Sequence, residues 1–121
     1  MAYDKSLITF AHNFPNGDKL DQASTALFND LSPGGGDASK VATDITNIVA
    51  ATDQSFGPGG NALVFQAHFG AMGLAELGQA GLNVYSGFGR SVGSAMSTLS
   101  GPQLQNFAAN LATQISGTFH A

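Results

Sequence analysis

Imidazole is the most versatile ligand and base available to a protein, and this chain carries it at His12, His68 and His120. His68 is the most suggestive. Phe65 precedes it by three positions, Phe69 follows it, and Met72 comes four positions later. On a helix this spacing puts all four residues on one side, an imidazole and a thioether framed by two rings. An axial haem ligand would have this setting, and so would an ordinary core histidine, which asks for nothing more. No HxxxH or HxxE pair adds a second metal ligand on the same helix. No metal and no cofactor is therefore expected, with haem at His68 as the alternative.

Other reactive constellations are missing. The chain has no cysteine, which removes disulfides, thiolate nucleophiles and cysteine-ligated zinc. No serine occupies a GxSxG elbow, and no Ser-His-Asp order is distinctive. Seven of the eight acids are Asp, read here as capping helix starts or facing water on outer faces. Glu76 is the exception, set among apolar neighbours but on a narrow polar strip with Gln79 and Asn83. The run Ser32-Pro33-Gly34-Gly35-Gly36-Asp37 lacks the Lys-Ser/Thr of a phosphate loop, so it reads as a turn and a cap. No catalytic residue is assigned, and the expectation is a protein that is not an enzyme.

The elements that would position these residues are helices. Gly and Pro break the chain at Pro15-Asn16-Gly17, Pro33-Gly34-Gly35-Gly36, Gly57-Pro58-Gly59-Gly60 and Gly101-Pro102. The segments between them carry helical periodicity. Over 18–31, Leu20, Ala23, Leu27 and Leu31 mark one face behind an Asp18 cap. Over 37–54, Asp37 caps a stripe of Ala38, Val41, Ala42, Ile45, Ile48, Val49 and Thr52, opposite Lys40, Asp44, Asn47 and Ala51. Residues 61–86 are small or apolar on nearly every side and predict one long central helix, broken at Gly87-Phe88-Gly89. A short helix over 90–99 follows, then a last one bearing Leu104, Phe107, Ala108, Leu111 and Ile115 opposite Gln103, Asn106, Asn110, Thr113 and Gln114. A weak first helix over 3–11 completes a single all-α domain spanning 1–121, a compact bundle of five or six helices.

Charge is distributed unevenly along this bundle. Only 10% of residues are charged, against about 25% in an ordinary soluble domain. Ten of the twelve charges precede Asn61, leaving Glu76 and Arg90 alone in the second half. A net charge of −4 with four basic residues offers no stripe for nucleic acid or anionic lipid. Small residues are dense instead. Ala67, Ala71 and Ala75 recur at every fourth position, glycines are interleaved, and Gly89 and Gly93 form a GxxxG. Glycine inside a helix costs about 1 kcal/mol relative to alanine, and close backbone approach is its usual return.

These features predict a non-enzymatic helical protein that self-associates through its uncharged second half into an oligomer, fibre or surface layer. Phe65, His68, Phe69, Met72, Gly89 and Gly93 are the candidate interface or ligand-binding residues. The composition resembles that of bacterial proteins secreted through an uncleaved C-terminal signal, so export without a cleaved signal peptide is expected. A bacteriocin-like protein whose helix from Leu63 opens out and inserts into a membrane and a carrier of an apolar ligand such as haem are the alternatives.

Overall fold

In a computed structural model, residues 17–31, 37–57 and 59–118 are described; the segment 3–11, His12 and His120 lie outside them. The second helix starts and stops for local reasons. The Asp37 carboxylate accepts the Ser39 backbone N–H at 2.8 Å, which satisfies one of the orphan donors at the start of α2 (Ala38–Phe56). Gly57 ends that helix with φ 78° while its N–H bonds to Asp53 O. Along α2, Val41, Ile45, Ile48 and Val49 are buried, as their spacing predicts. The helix before it, α1 (Gly17–Leu31), buries Leu20, Ser24, Leu27 and Leu31, again one stripe at helical spacing.

The expected long helix over 61–86 is two helices. α3 (Gly60–Leu77) stops at Gly78, and α4 (Gln79–Met96) starts immediately after it. Gly78 has φ 72° and ψ −152°, a backbone conformation that a Cβ disfavours, and there the chain reverses. α3 and α4 then run antiparallel against each other. The break expected at Gly87-Phe88-Gly89 does not occur, and the short helix expected over 90–99 is the second half of α4. Periodicity could not separate these cases, because glycine marks both a chain reversal and a close helix contact. Gly78 is the first kind. Gly73, Gly81, Gly89 and Gly93 are the second.

A turn at Ser97–Thr98 leads into α5 (Gly101–Thr118), whose Ala108, Leu111 and Ile115 are buried while Gln103, Asn106, Asn110, Thr113 and Gln114 are exposed. The expected faces of this helix hold. The result is an all-α bundle of five helices among the described residues, with no strand among them. Its central element is α2, which packs on α1, α5 and α3, while the apolar hairpin α3–α4 packs chiefly on itself. That correction follows from the reversal at Gly78: a helix apolar on all sides hides much of its surface against its own continuation. One core joins Leu20, Leu27, Ile45, Ile48, Phe65, Phe69, Met72, Met96 and Ile115.

Candidate functional site

The six residues singled out from the sequence all lie in or beside α3, and all are buried. Phe65, Phe69, His68 and Met72 are at most 1% exposed. Phe65 stacks on Phe69 with centroids 6.1 Å apart, and Phe69 meets Phe88 of α4 edge-on at 5.3 Å. Gly89 and Gly93 face the α3 backbone, where a Cβ would collide with the carbonyl groups of Phe65 and Asn61 respectively. Gly73 and Gly81 face each other in the same way. Steps of eight and then four back along α3, from Gly73 to Phe65 to Asn61, are matched by equal steps forward along α4 from Gly81 to Gly89 to Gly93. The small residues thus zip the hairpin together inside one chain.

His68 has a partner that spacing along one helix does not reveal. Its Nε2 lies 2.8 Å from Ser24 Oγ on α1, and Ser24 Oγ also reaches Leu20 O at 2.7 Å. A hydroxyl has one proton. When it donates to Leu20 O, the His68 Nε2–H donates to Oγ, which assigns the tautomer. Burial lowers the His68 pKa from 6.5 to about 4, so the ring is neutral at pH 7. Serine and histidine at this distance have the reach of a nucleophile and its base. Both are only 1% exposed, however, and neither lines the open grooves on α1–α2 and α3–α4. The pair binds α1 to α3. A haem iron at Nε2 would first have to displace Ser24. Among the described residues no group of three or more His, Cys, Asp or Glu is placed to hold a metal ion.

The wet side expected for α2 is partly buried. Asp44 and Ala51, assigned to the wet side of their helix, are both 6% exposed. Packing of α2 by several neighbours buries more than the one stripe its periodicity marks. Asp44 Oδ2 is buried and has no hydrogen-bond partner. Burial first, then the neighbouring Asp30 carboxyl, raise the Asp44 pKa from 3.8 to about 7, with Lys40 acting in the opposite sense. Ser24, Asp30 and Asp44 are the residues that the sequence reading missed. Ser24 did leave a trace, as a hydroxyl inside the Leu20–Leu27 stripe.

The accessible side of the hairpin mixes large apolar with polar residues. Leu63, Leu77 and Val84 are 57%, 64% and 67% exposed. Between the two helices an open groove of about 350 Å³ is lined by Leu63, Gln66, Ala67, Gly70, Leu82 and Ser86. Arg90 borders it, donating to Gln66 Oε1 at 3.3 Å. Gln79 donates to Asn83 on the exposed side of α4, and Glu76 is partly buried at the end of α3. Among the described residues, no helix is long and apolar enough to cross a membrane. The membrane-insertion alternative also loses its uninterrupted segment at Gly78.

Fold and site define an all-α bundle with a glycine-zipped hairpin and a sealed polar core. No protein-family model matches this chain, and no curated protein or solved structure is significantly similar to it.

Proposed function

We propose that this chain is an exported, non-enzymatic helical module that self-associates, with the α3–α4 face as the contact between copies. The observation that carries this reading is the exposure of Leu63, Leu77 and Val84 on a hairpin whose groove, lined in part by Leu63, has uncharged walls. Charge selects a second copy as the occupant. The whole net charge of −4 resides before Asn61, while Glu76 and Arg90 cancel after it. Two copies therefore repel through their α1–α2 sides and approach without that penalty through their hairpins. A standard interface of about 1,600 Å² is within reach of two such helices on each side. Export is suggested by composition alone and belongs to the same proposal.

Sedimentation velocity over about a hundredfold concentration range tests self-association. The expected result is a species that grows with concentration in the native chain and stays monomeric in Leu77→Glu. A monomer at every concentration would overturn the reading.

A further inference from the structure

The contact between α3 and α4 follows one line. On α3 it runs through Asn61, Phe65, Phe69 and Gly73, and on α4 through Gly81, Tyr85, Gly89 and Gly93. Successive members are four positions apart, the ridge that i±4 packing uses on both partners. Leu77 falls on the same spacing, midway between Gly73 and Gly81. It is 64% exposed, because the chain turns beside it. The contacts are also symmetric about it. Gly73 meets Gly81, Phe65 meets Gly89 and Asn61 meets Gly93, at four, twelve and sixteen positions to either side.

Gly78 alone interrupts this line. Helical bonds reach it from both sides: its N–H donates to Leu74 O at 2.9 Å, and its C=O accepts the Leu82 N–H at 3.0 Å. Its φ of 72° and ψ of −152° make the reversal. With helical angles at this one residue, the N–H groups of Gln79, Ala80 and Gly81 would reach the carbonyls of Ala75, Glu76 and Leu77. These are terminal groups with no partner inside their own helices. α3 and α4 would then be one helix over 60–96, about 55 Å long. Such a helix presents its ridge unbroken, and a second copy related by a two-fold axis at Leu77 meets it in the same register.

We propose that copies of this chain associate by exchanging α4: Gly78 straightens, and the α4 of each copy packs on the α3 of the other. This deepens the self-association reading and rests on it. Continuity with the existing contact selects the occupant, since the face that α4 leaves on α3 fits the α4 of another copy residue for residue. The glycine contacts of the closed chain are kept, helical hydrogen bonds are added at the hinge, and the two Leu77 side chains cover each other at the axis. Glycine's poor helix propensity at position 78 and the loss of an intramolecular partner oppose exchange, so the closed form prevails at low concentration. A one-residue reversal is the kind of short hinge that invites exchange.

A disulfide reads which chain supplies α4. A Cβ placed at Gly70 lies 3.6 Å from the Ser86 Cβ, within disulfide range, and the chain has no cysteine of its own. The full chain carrying Gly70→Cys and Ser86→Cys is refolded from urea at low and at high concentration. Monomer and oligomer fractions are separated, oxidised and run on a non-reducing gel. Links within one chain are expected in the monomer and links between chains in the oligomer. Each substitution alone gives the level of chance cross-linking. Gly78→Ala disfavours the positive φ of the turn and favours helix, so it should lower the apparent dissociation constant by about tenfold or more. Two glycines inserted after Gly78 ease the reversal and interrupt the joined helix, and should return the links to within one chain. This second variant decides the matter if alanine impairs folding. An oligomer whose links all lie within single chains would overturn the exchange and leave surface association standing. Absence of any oligomer, with the native hinge and with Gly78→Ala alike, would overturn both.

Discussion

Ser24 Oγ and His68 Nε2 lie 2.8 Å apart across the core, 44 positions apart in the chain, and tie α1 to α3. With the hydroxyl committed to Leu20 O, the bond needs a proton on His68 Nε2, and burial keeps the rest of the ring neutral. Burial lowers the folded-state pKa of His68 from 6.5 to about 4, so on acidification the unfolded chain takes up this proton first. The contribution of His68 to stability is full above about pH 6.5 and is lost as pH falls toward 4. The loss is on the order of 3 kcal/mol, set by the size of the shift. Urea midpoints measured across this range should fall in the native chain and change much less in His68→Leu. Asp44 works in the opposite direction over the same range, so the combined profile in Asp44→Asn should show a steeper acid loss than in the native protein.

Glycines within one helix should respond to alanine with opposite signs. A Cβ at Gly89 collides with the Phe65 carbonyl, whereas one at Gly87 meets nothing within 4 Å. Gly89→Ala is expected to destabilise by about 1–3 kcal/mol, since backbone has to move to admit the methyl group. Gly87→Ala is expected to stabilise by about 0.4–1 kcal/mol through the lower entropy of the unfolded chain. Thermal unfolding of the two variants beside the native chain checks both signs.

Capping at Asp37 offers a local test of the central helix. Its carboxylate accepts the Ser39 N–H at 2.8 Å while the residue is exposed. Asp37→Ala should cost about 1 kcal/mol, and Asp37→Ser should recover most of it. Equal stability of the alanine variant, measured by denaturant titration, would mean that water replaces this cap at no cost.

Val84 separates association from folding. It is 67% exposed on α4, so Val84→Glu removes little buried area and should leave the unfolding midpoint within about 0.5 kcal/mol of native. The same substitution places a charge on the uncharged hairpin face. The apparent dissociation constant for self-association, from a sedimentation concentration series, should rise by about tenfold or more.

Much of this architecture could be read directly from spacing. The buried stripes of α1, α2 and α5, the Asp37 cap and the ends at Gly57 and Leu31 follow from periodicity and from residue types that act over one turn. Phe65, His68, Phe69 and Met72 likewise share a side of α3 because 3.6 residues per turn brings them together. The hairpin was less legible. Gly70, Gly73, Gly78 and Gly81 look alike in a sequence, since lack of a Cβ serves a reversal and a close contact equally well.

The amino-acid sequence by itself determined the helical class, the faces that seek burial and the concentration of charge before Asn61, because these depend on neighbours within a turn or on composition. Tertiary structure alone decided that α2 is the central helix, that Gly78 is the reversal, and that Asp44 is buried rather than left in water. It also brought Ser24 to His68. These outcomes depend on which helices pack together, and the free energy of that packing comes from contacts between residues far apart in the chain.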